Sequence, residues 1–432
     1  MRVLIVTHYF PPETGAPQAR LSGLAATWAA DGDEVTVLTG MPNHPTGVLP
    51  PAYRRAVLRR ERHDGYRVLR TWLYATPNEG IARKTLGHLS FMASSVILGA
   101  RPSGPADVVV VSSPTFFSIA SGWLLARLKR ARFVVEIRDL WPAIFVELGV
   151  LTNPLVIRAL ERLELAAYAA ADEVVVVTEG FRADLVRRGV PPEKVHTIRN
   201  GVDVGRFAAA AETGSAAERR ALRARLGAGP EDCLVLYAGT HGISQALTAI
   251  ADAAALLDTP GRAAAGPAEP ALGSTAGRAA AFGRQAVRFA FVGEGADKER
   301  LERRVTELGL RNVALLPGVP SAEMPALLAA ADICLVPLRK VPLFATFIPS
   351  KVFEFLAAGK AVIGSVTGEA AQILAEAGAV VVPPEDSGSL AAAIAALAAD
   401  PQLRAEMGRA GRSQVERCYD RAALAREYRK IL

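Results

Sequence analysis

The sequence predicts an α/β protein built of two doubly wound, Rossmann-like domains, on three observations. The chain has 432 residues, half of them hydrophobic, which is too long for one ordinary core and enough for two. Short, solid apolar runs, the mark of parallel strands buried on both faces, alternate with longer Ala/Leu/Arg-rich helical stretches. That alternation is repeated in each half of the chain.

In the first half the expected strands are VLIVTHY, EVTVLTG, DVVVVSS, FVVEIRD and EVVVVTE, with helices ending near Asp31, Lys129 and Ala170. In the second half they are CLVLYAG, VRFAFVGEG, VALLPG, ICLVPL, AVIGS and AVVVP. Domains over 1–205 and 206–415 follow, with the change-over in the Ala/Arg/Glu-rich and turn-forming stretch 199–232. The closing helix, 416–432, is expected to pack back on the first domain. Residues 259–286 are rich in Gly, Ala and Pro without a period, which is the composition of a surface insertion.

Composition narrows the class. Cys233, Cys334 and Cys418 form no CxxC pair and no even-numbered framework, so a reducing, cytoplasmic compartment is expected. MRVLIVTHYF is too short an apolar run for a signal peptide, and LSFMASSVILGA is too short for a membrane span. Residues 54–101 hold ten Arg/Lys against three Asp/Glu, a local +7 equal to the net charge of the chain. Beside an apolar run, that excess fits peripheral docking on an anionic bilayer at the inner face of the cell membrane, or else a buried helix with merely solvated arginines. The cluster lacks aromatic interleaving or a helix-turn-helix context, so no nucleic acid is expected as partner.

In open α/β sheets ligands bind beyond the carboxyl ends of strands, so the residues after each strand are the candidates. In YFPPETGAPQARL, Gly15 opens a helix whose N-terminus suits an anion, with Glu13 beside it, or forms a plain strand-to-helix turn. In FVVEIRDLWP, Arg138 and Asp139 follow a strand directly and serve as base, phosphate contact or loop brace. In YAGTHGISQAL, the backbone from Gly239 to Gly242 suits a phosphate, and His241 and Gln245 are side-chain donors or structural residues. Gly293 and Gly295 of VGEG let a ligand lie close to the chain, and Gly318 and Val319 offer backbone groups to a base. In IPSKVFEFLAAGKAVIG, Ser350 opens a short apolar helix bearing Lys351 and Glu354. An i,i+3 ion pair on an exposed helix is worth only about 0.2–0.5 kcal/mol. Burying both charges costs more than that unless a ligand satisfies them. Gly368 and Glu369 begin a further helix whose N-terminus suits a diphosphate.

Taken together, YFPPETGAPQARL, VTVLTGMPNHPTG, EIRDLWP, RNGVD, FVGEG, LPGVPSAEMPALLAAADICLVPL, PSKVFEFLAAGKAVI, GEAAQIL and VVPPEDSGSLAAAI resemble, in order and over nearly the whole chain, a GT-B glycosyltransferase of the retaining GT4 family (group 1), and within it the WbuB-like subgroup. The resemblance implies two Rossmann-like domains facing across a cleft, an acceptor bound mainly by the first and a nucleotide sugar mainly by the second. It implies retaining transfer of a hexose or N-acetylamino sugar from a UDP-sugar to a saccharide, lipid-linked in this subgroup, in surface polysaccharide or glycoconjugate biosynthesis. Glu354 matches the second glutamate of the E-x7-E signature, which holds the ribose hydroxyls; the first falls on Thr346. The Arg and Lys that clasp the donor diphosphate are absent from GTHGISQAL, which leaves Lys351, the Gly239–Gly242 backbone and the helix from Gly368, with Gly15 opposite. The family histidine before the aspartate is Arg138, and Asp139 is the closest candidate for the catalytic carboxylate. Retention by front-face attack, assisted by the donor phosphate, needs no protein nucleophile.

Asp31-Gly32-Asp33 is the lone D-x-D and lies in a helix-to-strand turn, and the six histidines show no ligand spacing, so transfer without a metal or other cofactor is expected. Two other readings fit some of the same features: a GT-B-type sugar-nucleotide epimerase, and a non-catalytic scaffold of a glycan or secondary-metabolite assembly complex.

Overall fold

A computed structural model describes residues 1–44, 46–77, 81–113, 116–213, 215–258 and 286–432. The expected insertion at 259–286 lies, apart from residue 286, outside the described residues. The chain forms two compact units, one of Met1–Gly201 with Asp420–Leu432 and one of Val202–Tyr419.

The first unit holds an eight-stranded sheet of β1 (Arg2–Val6), β2 (Glu34–Gly40), β3 (Leu58–His63), β4 (Tyr66–Thr71), β5 (Val108–Ser112), β6 (Arg132–Ile137), β7 (Glu173–Val176) and β8 (Val195–Thr197). Their order is β3-β4-β2-β1-β5-β6-β7-β8. All neighbours are parallel except β3 and β4. The strands that read as solid apolar runs are the buried central ones: β5 has no exposed residue, and Val3 to Val6 of β1 are all buried. The β3–β4 hairpin was not expected from the hydrophobic pattern. Its turn is Asp64-Gly65, with φ of 38° and 87°, the two positive angles that a right-twisted hairpin requires of its turn residues.

That hairpin alters the reading of the basic segment 54–101. Arg70 is fully buried, donates to Glu61 at 2.9 Å and to the Gly40 carbonyl at 3.3 Å, and also meets the Pro11 carbonyl. Arg67 pairs with Glu34 at 2.6 Å and Arg59 with Glu61 at 3.3 Å. Part of the apparent excess is therefore spent inside the fold. The helix Ile81–Ile97 that follows is amphipathic, with Phe91 buried and Leu86 and Ile97 exposed.

The helix Arg421–Arg429 packs on the helix Ala16–Ala30 within the same unit, where Trp28 Nε1 donates to the Ala425 carbonyl at 2.8 Å. Arg426 meets Asp31 at 3.1 Å, and Arg429 donates to Asp33 at 2.8 Å. Both acids of the D-x-D turn are thus engaged by arginines.

The second unit has six strands, all parallel: β9 (Cys233–Ala238), β10 (Val287–Val292), β11 (Val313–Leu316), β12 (Ile333–Pro337), β13 (Ala361–Ser365) and β14 (Val380–Val382). Their order, β11-β10-β9-β12-β13-β14, runs one way from β9 and then returns past it to β12. The reversal opens a crevice at the carboxyl ends of β9 and β12, which is where such sheets bind ligands. In the first unit the same reversal falls between β1 and β5. Among the described residues no helix is long and apolar enough to cross a membrane.

Candidate active site

At the carboxyl end of β9 the strand register brings Gly239 beside β10, with the Gly239 amide donating to the Val292 carbonyl at 2.9 Å. Tyr237, the one aromatic residue of β9, is buried, and its hydroxyl donates to the Thr240 carbonyl at 2.6 Å. The same oxygen accepts from Lys351 Nζ at 2.7 Å, and that ammonium lies 3.9 Å from the Tyr237 ring centroid. Lys351 is the first residue of the short helix Lys351–Ala357, which buries Val352, Phe353, Phe355 and Leu356 and so fixes the lysine at the crevice. Burial pushes the Lys351 ammonium down to about 7, against the opposing pull of Glu354. The Tyr237 phenol is pushed well up by burial and stays neutral. Gly239 keeps its φ of 132°, and a Cβ there would sit 3.0 Å from Lys351 Nζ; the bare backbone leaves the ammonium open on that side.

Two turns lace together over this point. His241 N donates to the Glu294 carbonyl at 2.9 Å and Asp297 N to the His241 carbonyl at 2.8 Å. Gly293 and Gly295 pack so close to His241 that a side chain on either would collide with it. The His241 ring is wholly buried, and burial, with help from Lys298 and Lys351, lowers its pKa to about 4. Its Nδ1 and Nε2 are buried with no hydrogen-bond partner among the described residues. Gln245 is likewise turned inward, its Oε1 accepting from Gly242 N at 3.1 Å. Glu294 pairs with Lys298 at 2.8 Å, and Gly318 lies against Glu294, followed by the half-buried Val319.

Ser350 occupies the N-cap position of the lysine helix without a side-chain cap bond, and the half-buried Glu354 lies on its first turn. Gly368 opens the helix Gly368–Glu376 with φ of 66°, where a Cβ would run into the Ala345 carbonyl, and Glu369 lies in its first turn. Gly368 thus sets the turn 342–346 against the helix start. Thr346 Oγ1 donates to the Leu343 carbonyl at 2.8 Å, so this turn offers a locally bonded hydroxyl where the signature has an acid.

In the first unit, Arg138 and Asp139 follow β6 as expected. Arg138 Nε and Nη1 are buried with no hydrogen-bond partner among the described residues. Burial raises the Asp139 carboxyl, with Arg138 pulling the other way. Sequence reasoning missed the pair behind them. Arg20 Nε donates to the fully buried Glu136 at 2.7 Å, and its other nitrogens donate to the carbonyls of Arg199 at 2.7 Å and Ile198 at 3.0 Å. Burial opposes ionisation of Glu136, but Arg20 and Arg138 outweigh it and its pKa falls. Gly15 is the N-cap of the helix Ala16–Ala30 and leaves room for Gln18 Oε1, which lies 2.6 Å from where a Cβ would stand. Glu13 is a brace: its carboxylate accepts from Phe10 N at 3.0 Å and from Asn43 N and His44 N, each at 2.8 Å. Also unforeseen is a group of His8 and His44, after β1 and β2, with His88 of the helix Ile81–Ile97; the position of His8 two residues after the first strand was the available signal. Among the described residues no group of three or more His, Cys, Asp or Glu is arranged to hold a metal ion.

Residues 15–201 match the family model described as a glycosyl transferase 4-like domain, and residues 278–414 that of glycosyl transferases group 1. The chain is 29% identical over 367 residues to WcaI of Escherichia coli (strain K12), named as a colanic acid biosynthesis glycosyl transferase, covering 83% of this chain and 82% of that protein. Among solved structures, HepE of Anabaena in complex with UDP-glucose superposes with a TM-score of 0.70 at 17% identity, over 100% of this chain and 98% of that one. The sucrose-phosphate synthase of Thermosynechococcus elongatus gives 0.69 at 20% identity, again over 100% and 98%.

Proposed function

The chain belongs to the group 1 glycosyltransferases (GT4) of GT-B fold, and we propose that it moves a hexose or N-acetylamino sugar from a UDP-sugar to a saccharide acceptor with retention of configuration. The observation that bears most weight is the Lys351 ammonium held against Tyr237 beside the bare Gly239 turn, at the strand-order reversal of the second unit. A donor diphosphate there meets Lys351 and the N-terminus of the helix from Gly368, while the amides of Gly239, His241 and Gly242 are engaged by the Val292 carbonyl, the Glu294 carbonyl and Gln245 Oε1. Glu354 takes the ribose hydroxyls, and Gly318 and Val319 offer backbone groups to the base, beside the turn that Gly293 and Gly295 pack against His241. HepE, whose fold this chain shares, is a UDP-glucose complex, which favours a uridine donor.

Charge neutralisation by Lys351 and a helix terminus favours loss of UDP from the anomeric carbon with no resident metal in the proposed scheme. The acceptor oxygen forms the new bond on the same face, and its proton passes to the departing diphosphate. Asp139 and Arg138 orient the acceptor and compensate the charge that develops, on the first unit.

The likeness to WcaI supports a role in surface polysaccharide biosynthesis, with a lipid-linked acceptor. A peripheral contact with an anionic membrane accords with the exposed Leu86, Ile97, Trp123, Leu128, Leu155 and Leu163 of three helices on the first unit, interspersed with Arg83, Lys84, Arg127, Arg158 and Arg162.

A nucleotide-sugar panel tests the donor assignment. Slow release of UDP from one UDP-sugar without acceptor, and stabilisation by UDP in thermal denaturation, are expected. No turnover of any donor and no shift with UDP would favour the scaffold, and a new UDP-sugar formed without acceptor would favour the epimerase.

A further inference from the structure

We propose that Lys84, His88 and His44 form a phosphate-binding subsite on the first unit, which takes the phosphate or diphosphate group of the acceptor and takes up a proton as it does so. The subsite deepens the transferase reading above and rests on it for its role, but the geometry stands by itself.

The elements that meet here are the carboxyl ends of β1 and β2 and the helix Ile81–Ile97, on the β1 side of the strand-order reversal of the first sheet. His8 follows β1 by two residues and is 4% exposed. Its Nδ1 lies 3.5 Å from Nδ1 of His88, so one of the two donates and the other accepts, and Nε2 is the nitrogen of His88 left for a ligand. The rings are fixed by packing: His8 against His88 at 4.5 Å and against Phe91 at 4.9 Å, His88 stacked on Phe117 at 6.3 Å, and Tyr9 edge-on to His44 at 5.3 Å. Lys84 stands one helical turn before His88, hence on the same face, and is exposed.

Tyr9 lies edge-on to His44 at 5.3 Å and to His88 at 6.3 Å, and Lys84 acts electrostatically on both imidazoles. The acid among them is Glu13, and its oxygens are already engaged by three backbone amides, with Arg70 nearby. Tyr9 is pushed up to about 12 by burial and then by Glu13, and stays neutral. Without a ligand, burial and then Lys84 hold both His44 and His88 below the ordinary imidazole value, and burial with His88 and His44 does the same to His8. A phosphate dianion placed among them reverses the electrostatic part of that effect, so His44 and His88 gain affinity for protons when it binds. Two or three charge-assisted donors around one anion are what such recognition uses.

The test follows the six histidines of the full chain by long-range 1H–15N spectra during pH titration, with assignments from single His→Gln variants. Millimolar inorganic pyrophosphate is expected to raise the midpoints of His44 and His88 by about one pH unit. K84Q is expected to lose that response and K84R to keep it, with K351M unchanged because the donor site plays no part. Farnesyl diphosphate acting at a lower concentration than pyrophosphate would assign the group to a lipid, and equal potency would assign it to a free phosphate. Midpoints unmoved by either probe, an equal response to chloride at matched ionic strength, or a response that survives in K84Q or vanishes in K351M would each overturn the subsite. No turnover is read, so failure of the transferase assignment would show separately, in the donor panel.

Discussion

Lys351 Nζ lies 2.7 Å from the hydroxyl of Tyr237, the one side-chain hydrogen-bond acceptor it has among the described residues. A neutral oxygen compensates a buried ammonium only in part, which is why its pKa falls to about 7.

The pH dependence of donor binding follows. Lys351 is charged below about pH 7 and neutral above it, so UDP affinity should be highest below that value and decline as pH rises through it. In K351R the guanidinium remains charged and this decline should disappear. Isothermal titration between pH 6 and 9 checks both.

The same group affects stability with the opposite sense. The folded pKa lies below the ordinary 10.5, so between about 7 and 10.5 the unfolded chain binds more protons, and this lysine's contribution to stability rises with pH across that window. K351M should raise the melting temperature of the unliganded protein at pH 7 and below, and lose most of the further rise that UDP produces. Thermal denaturation with and without UDP measures the trade.

For Glu354, a hydrogen bond donated by a ligand hydroxyl to a carboxylate is worth about 1.5–3 kcal/mol. E354A should weaken UDP binding by about 10- to 100-fold, while uracil-lacking pyrophosphate binds as before. Equal UDP affinity in the variant and the parent protein would remove the ribose assignment. D139N should instead lower turnover with little change in UDP affinity, a split visible by comparing kcat with the dissociation constant.

Arg20 and Glu136 are both buried, and removing one partner of such a pair typically costs about 3–5 kcal/mol. R20A should lower the urea midpoint of the first unit and free the 198–200 turn that its guanidinium holds. R20K, with one nitrogen in place of the fork, should recover only part of the loss.

Gly368 has a left-handed backbone and no space for a Cβ beside the Ala345 carbonyl. G368A should be destabilising and should weaken UDP binding more than G378A. Gly378 has a φ of 74°, and a Cβ there would stand at 3.5 Å from Ala410.

The strands were legible because a parallel strand buried on both faces reads as a continuous apolar run, and β1, β5, β9 and β12 are such runs. The hairpin of β3 and β4 was not, because LRRERH has the charge of a surface segment; its Asp64-Gly65 turn was the readable sign. Of the candidate site, Lys351 and Glu354 stood out as charges in an apolar helix. Tyr237 did not, since a tyrosine in a buried strand is unremarkable until the helix that reaches its hydroxyl is known. Arg20 and Glu136 are separated by 116 residues, and a pair at that distance is set by which strand ends adjoin. The burial of His241 was not readable either, because the two glycines that close over its ring stand more than fifty residues further along the chain.

The helix Arg421–Arg429 completes the first unit from the far end of the sequence, after the entire second unit has intervened. During translation the ribosome therefore delivers a first unit whose Trp28 lacks the Ala425 carbonyl and whose Asp31 and Asp33 lack their arginines until some 220 further residues have emerged. The second unit, contiguous from Val202 to Tyr419, has no such wait. A protease assay on chains ended at Tyr419 should find the second unit resistant and the first unit susceptible.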